Sequence, residues 1–199
     1  MIIMNRTDRL LAILIELQRN QVVTAHMLAE KFETLVLYYI NELNKYSLEQ
    51  LRRKPSEEEW SLGQMYYHLL TASNMQLHAI EQCATGSAII SGKKTEMGED
   101  VYKMGAFPPI QIKIPNRPGY TPENPTNKEN LKQGLLQLID KMKKNQLKLS
   151  SIPSHHTVAH PGLGHLCATE WFQLVYMHFA HHLHQKERLE KTLITDSNC

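Results

Sequence analysis

Six of the nine prolines fall between Pro108 and Pro125, and this cluster divides the chain. Proline lacks a backbone N–H and its ring clashes with the preceding turn, so a regular helix cannot cross that stretch. On either side the apolar residues recur at intervals of three and four, the period of amphipathic helices. The first such stretch runs from Asn5 to Arg19 on Leu10, Leu11, Leu14, Ile15 and Leu17. A short second helix is expected after Thr24, through Met27, Leu28 and Phe32, because threonine is a good N-cap. A long helix is expected from Glu33 to Arg52, ended by Pro55, with a single turn at Ser56–Glu59.

Ser61 with Gln64 forms a capping box that opens a helix to about Ala84, where Gly86 is placed to end it. Residues 87 to 125 read as a long loop with one extended piece at Ile110–Ile114, and loops of that length tend to serve as lids or binding elements. Thr126 with Glu129 suggests another capping box, opening a helix through Leu131, Leu135, Leu138, Ile139 and Met142. A Ser-, Pro- and His-rich loop follows over about 149–166, and a last helix runs from near Ala168 to about Lys191. Four long helices with a long connection between the second and third predict an all-α four-helix bundle with a crossover.

Composition narrows the function. The 199 residues are 42% hydrophobic with a formal net charge of +2, enough apolar mass for a core and too little charge for a strongly electrostatic nucleic-acid or anionic-membrane binder. Three cysteines, Cys83, Cys167 and Cys199, suit a reducing compartment and exclude a disulfide scaffold. No apolar run approaches the roughly 20 residues of a membrane span, and no cleavage site follows the apolar start. A cytoplasmic location is the expectation.

The eleven histidines are the unusual feature. On the last helix the stripe Trp171, Val175, His178, His182, Leu189 puts two imidazoles one turn apart on the apolar face, a spacing at which both can share one metal ion. On the helix opened by Ser61, the stripe Met65, His68, Ala72, Met75, Ala79 carries a third. If those faces pack together, three imidazoles meet with a position left for water or substrate, the pattern of catalytic rather than structural sites. Gln64 and Gln185 are candidates to orient an imidazole or water, and packing a polar group is their plainer role. His181 and His184 lie beside the stripe. Cys167 reads as a weak cap with Glu170 at the N3 position, two turns before His178. His155, His156, His160 and His165 lack ligand spacing, although His160 and His165 could reach the site if their loop folds over the bundle end. The plain alternatives are a core histidine at His68 and a solvated or pH-responsive face on the last helix.

Two segments carry a resemblance. Lys54-Pro-Ser-Glu-Glu-Glu-Trp60-Ser-Leu-Gly-Gln64-Met-Tyr-Tyr-His68-Leu resembles the start of the second helix of DinB-like (YfiT-like) proteins. His160-Pro-Gly-Leu-Gly-His-Leu followed by Glu170–Gln185 is similar to their last helix, so the resemblance covers about 33–192. It implies an up-down-down-up four-helix bundle holding a divalent metal, zinc or nickel, on three histidines. Transferred position by position, these are His68, His178 and His182, with Trp60, Gln64, His160, His181 and Gln185 as pocket or supporting candidates. Family members with known activity resemble thiol-dependent transferases or isomerases using low-molecular-weight thiols such as bacillithiol or mycothiol, and others are described as metal-dependent hydrolases. A small-molecule substrate follows from that resemblance. A non-catalytic metal-binding or stress-response module on the same fold is the alternative. His184 stands where relatives often carry arginine.

Residues 5–32 resemble the first two helices of DeoR/YafY-type helix-turn-helix regulators. The position of a recognition helix is taken by Glu33–Leu43, with no Lys or Arg between Lys31 and Lys45, which disfavours DNA as a partner. Two short helices cannot bury their own apolar stripe, so this appendage is expected to pack on the bundle or on a second copy in a homodimer. The expected division is thus 1–32, 33–192 and a tail of 193–199.

Overall fold

A computed structural model describes residues 24–85, 88–108 and 121–195. The amphipathic stretch 5–19, most of the helix-turn-helix-like appendage and the extended piece at Ile110–Ile114 lie outside them. The first helix, α1, is continuous from Ala25 to Leu43, and the Thr24 hydroxyl caps it by accepting from Met27 N at 3.2 Å. The short helix expected to end at Phe32 and the long one expected from Glu33 are therefore one helix as far as Leu43. Leu28, Ala29, Phe32, Leu35, Val36, Tyr39 and Leu43 form a single buried face with no break at 32. The expected helix to Arg52 is interrupted after Leu43, because Ser47 and Gln50 make a complete capping box that starts a separate short helix, α2, at Leu48–Arg52.

Helix α3, Leu62–Ala84, begins at the Ser61–Gln64 box read from the sequence. Helix α5, Lys128–Gln146, starts one residue later than expected: Asn127, not Thr126, is the cap, accepting from Glu129 N at 2.8 Å. Helix α6 runs from Ala168 to Thr195. The four long helices close a ring in the order α1, α5, α3, α6, so that α6 lies between α1 and α3.

The core is aromatic at its centre. Tyr39 donates to the Phe179 carbonyl at 2.9 Å and Tyr66 donates to the Tyr39 carbonyl at 2.9 Å, so both fully buried hydroxyls are satisfied across helices. Their rings stack edge to face, with Tyr39 5.3 Å from Phe179 and 5.6 Å from Tyr66. These bonds fix the rotation of α6 at the residue after His178. Lys186, further along α6 and only 1% exposed, pairs with Glu190 at 2.7 Å and reaches Glu42 of α1 at 3.5 Å. A buried ammonium needs such partners, and here they tie α1 to α6.

The two expected loops contain regular structure. Ile89–Ile90 (β1), His156–His160 (β2) and Gly164–Cys167 (β3) form an antiparallel sheet in the order β1-β2-β3, with Thr157 facing Cys167 and His160 facing Gly164. Between β1 and α5 lies α4, Glu96–Met104, capped by Thr95 and closed by Gly105 at φ +67°. The Thr95 cap, Glu96 and Glu99 in the first turn and the terminal glycine are ordinary helix signals that nearby proline obscures. Gly164 is required by the hairpin: it sits at φ +77°, and a side chain there would meet Thr95 N at 2.5 Å. Tyr102 donates to the Glu170 carbonyl at 2.8 Å and thus holds α4 on the start of α6. Among the described residues no helix is long and apolar enough to cross a membrane.

Gly63, in the first turn of α3, is packed against its neighbours: an added Cβ would stand 2.6 Å from Pro125 Cγ and 2.8 Å from the Leu51 carbonyl oxygen. The expected result for Gly63→Ala is a loss of about 1–3 kcal/mol in chemical denaturation, overcoming the roughly 1 kcal/mol that alanine gains from helix propensity. A more stable variant would contradict this packing.

Candidate metal centre

The site is built where α3 meets α6. His68 stands two turns after the Ser61 cap, and His178 and His182 stand one turn apart on the inward stripe of α6, flanked by Trp171, Val175 and Leu189, each buried. The sequence stripe on α3 is correct at Met65 and Ala79 but not at Met75, which is 69% exposed.

The three imidazoles converge. His68 Nε2 lies 3.1 Å from His178 Nε2, and His182 Nε2 lies 3.0 Å from the same atom. One nitrogen from each ring can be chosen so that all three fall within 4.8 Å of one another. Nitrogens that share a metal at about 2.0–2.1 Å stand roughly 3–3.4 Å apart, and the two contacts made by His178 have that spacing. Among the described residues no fourth histidine, cysteine or carboxylate joins this group.

Protonation is opposed throughout. Burial pulls the His68 ring down to about 4. Burial, and then the neighbouring His68, pull His182 down to about 3 against the raising effect of its Gln185 bond. His178 falls well below the ordinary histidine range because burial and the four nearby histidines 182, 68, 181 and 160 all disfavour its cation. Three neutral imidazoles therefore face one another at neutral pH, with lone pairs available for a cation.

The supporting candidates divide. Gln185 accepts from His182 Nδ1–H at 2.6 Å, which fixes the tautomer and leaves the Nε2 lone pair turned to the site. Gln64 does not act on an imidazole: its carbonyl accepts from Ser61 N at 2.9 Å and its amide donates to the Pro122 carbonyl at 2.8 Å. The helix cap and the Pro122 carbonyl together occupy both ends of the side chain. Trp60 lies 5.1 Å from the His68 ring, and its segment is tied to α6 by the Glu59–Arg188 ion pair. His181 is partly buried against Phe107, ring to ring at 5.3 Å, and His184 is exposed. Phe107 follows α4 and had no motif to announce it.

His160 lies on β2 against Trp171 at 5.4 Å, with Nδ1 accepting from Gly162 N and Leu163 N. His165 does not reach the three imidazoles; it packs on Gly92 and stands 3.4 Å from Thr157 Oγ1. Of the four hairpin-region histidines only His155 is exposed. Glu170 is also committed elsewhere, accepting from Cys167 N at 2.8 Å and pairing with Lys94 at 2.5 Å. Its first bond is the returning half of a capping box, so Cys167 occupies the cap position. Burial raises the pKa of the Cys167 thiol, and burial pushes Cys83 up to about 11, which suits neither for a thiolate nucleophile.

The DinB superfamily model matches residues 29–185, and the chain belongs to that superfamily. It is an all-α member whose three-histidine cluster could bind a metal ion. No curated protein and no solved structure matches the chain. The family match begins within α1, and nothing among the comparisons supports the helix-turn-helix likeness of residues 5–32.

The contrast between the two glutamines is measurable. Gln185→Ala is expected to weaken zinc binding about 10–100-fold, whereas Gln64→Ala leaves it unchanged and lowers stability by about 1 kcal/mol. Competition titration with a chromophoric chelator, beside urea denaturation, reads both. Equal effects of the two variants on zinc affinity would contradict the assignment.

Proposed function

We propose that this protein is a metal-dependent enzyme acting on a small molecule, with His68, His178 and His182 holding a divalent cation, zinc or nickel, through Nε2. The observation that carries the reading is the convergence of three neutral imidazoles from two helices, one buried and two half-buried. When bound, such a cation supplies Lewis acidity that lowers the pKa of a thiol or a water at neutral pH. That chemistry suits a thiol-dependent S-transferase or a hydrolase-like activity, with a low-molecular-weight thiol as the co-substrate in the first case.

The chain's own residues perform the rest. Gln185 holds His182 in the tautomer whose Nε2 is a ligand. The aromatic core bond from Tyr39 to the Phe179 carbonyl keeps the α6 ligands from rotating away from His68. Trp60 and Phe107, brought in by segments outside the four long helices, restrict water beside His68 and His181. Dryness matters because electrostatic interactions strengthen as water is excluded.

Elemental analysis of protein purified without a histidine tag tests the reading. Near-stoichiometric divalent metal is expected in the wild type and its loss in His178→Ala, while His156→Ala retains it. Metal-loaded protein is then expected to conjugate monobromobimane-type electrophiles with one of bacillithiol, glutathione or coenzyme A, or to hydrolyse a small ester. Metal below about a tenth of an equivalent in the wild type, after loading with zinc, would contradict the site, since a three-imidazole site of this kind binds zinc strongly. Bound metal with no turnover across that panel favours the non-catalytic module instead.

A further inference from the structure

The segment that joins α2 to α3 and carries Trp60 is pinned at both ends and fastened once in between. Its ends meet at Asn124: the Asn124 amide donates to the Arg52 carbonyl at 3.1 Å, and the Ser61 hydroxyl donates to Asn124 Oδ1 at 2.7 Å. Arg52 also donates to the Pro125 carbonyl at 3.1 Å. Between these pins Ser56, Glu57 and Glu58 are exposed, and no residue from 53 to 60 is fully buried. The strap's own bonds are internal, from the Lys54 ammonium to the Glu57 carbonyl and from Glu59 N to the Ser56 carbonyl. Among the described residues, the one polar contact that residues 54–60 make with another element is the Glu59–Arg188 ion pair.

That contact sits beside the three imidazoles. Trp60, next in sequence to Glu59, lays its indole against the His68 ring, with centres 5.1 Å apart and planes at 52°. Arg188 belongs to α6, the helix that carries His178 and His182. The strap thus leads into the helix that bears one histidine and is held by the helix that bears the other two. A segment with few buried contacts and a single tie opens locally, well short of global unfolding. The tie is itself weak: the side chains of Arg188 and Glu59 are 42% and 37% exposed, so water and salt screen their attraction.

We propose that Glu59 and Arg188 are positioning residues that act through Trp60: their ion pair latches the indole over His68, and release of the latch uncovers His68 to an incoming metal ion or small molecule. The inference rests on the three-histidine reading for what lies beneath the strap, and on the Asn124 pins and the single ion pair for its opening. Such a latch acts on rates. It closes over the empty and the loaded centre alike, so its release speeds entry and exit together and leaves the affinity in place.

Stopped-flow zinc uptake, and zinc removal by excess chelator, test this on tag-free full-length protein. Arg188→Gln is expected to raise both rates about two- to fivefold, the range that loss of an exposed ion pair supplies, with zinc affinity unchanged. Exchanging the charges, Glu59→Arg with Arg188→Glu, is expected to return both rates toward wild type, and added salt to speed both in the wild type. A zinc-free arm reads the indole directly, by acrylamide quenching of fluorescence in a Trp171→Phe background, where Trp60 is the sole tryptophan. Arg188→Gln and added salt are each expected to increase that quenching. If Trp171→Phe does not fold, the difference between wild type and Trp60→Phe reads the same quantity. Quenching that neither Arg188→Gln nor salt alters overturns the proposal, and so does faster zinc release without faster uptake. Failure of the metal reading has a separate signature: no variant takes up zinc, while Trp60 quenching still responds to Arg188→Gln.

Discussion

Two imidazole nitrogens within hydrogen-bond distance of a third, His178 Nε2, in an interior that refuses their protons, form the constraint on which the rest of this structure depends. Neutral imidazole offers one donor and one acceptor, and His182 has already spent its N–H on Gln185. His178 Nε2 therefore faces the lone pair of His182 and the nitrogen of His68 at 3.0 and 3.1 Å, while its own buried Nδ1 has no partner among the described residues. Such a cluster is poorly served by hydrogen bonding alone, and a shared cation satisfies all three rings at once. The surrounding fold is arranged to hold the rings in place: hydroxyls crossing the aromatic core, a buried lysine between two glutamates, and a capped α3 that places His68.

The bundle and the three-histidine cluster were legible in the sequence because both are written at short range. Ser61–Gln64 starts α3 as read, the i, i+4 spacing of His178 and His182 survives in the structure, and the stripe on α6 is buried at every apolar position named. The meeting of the three histidines needed one long-range step, the packing of α3 on α6, and the position of each histidine on an apolar face supplied it. The Gln185 role followed from its place three residues past His182. Gln64 shows the limit of that approach: the same face relationship to His68 holds, but the capping box and the Pro122 carbonyl claim its side chain.

What the sequence concealed depends on contacts distant along the chain or on competing local signals. The break after Leu43 was hidden because Leu35, Tyr39, Leu43 and Leu51 keep helical spacing across a four-residue interruption, and only the Ser47–Gln50 box reveals it. Helix α4 and Phe107 stand beside a proline-rich stretch that outweighs the Thr95 cap and Gly105 stop. The β2–β3 hairpin has an irregular apolar pattern, since it is stapled by backbone bonds to Lys93, Thr95 and the Gly164 turn rather than by alternating side chains. The i,i+4 pair of Lys186 with Glu190 looks like an ordinary surface pair, and its burial comes from α1, which supplies Glu42 and Tyr38.

The central claim concerns coordination, and X-ray absorption at the metal edge of tag-free, zinc-loaded protein addresses it most directly. The account predicts three imidazole nitrogens at about 2.0–2.1 Å, with the outer-ring scattering of three histidines and a remaining light-atom position from solvent or a small molecule. A spectrum with sulfur scattering, or with one imidazole or none, would contradict it.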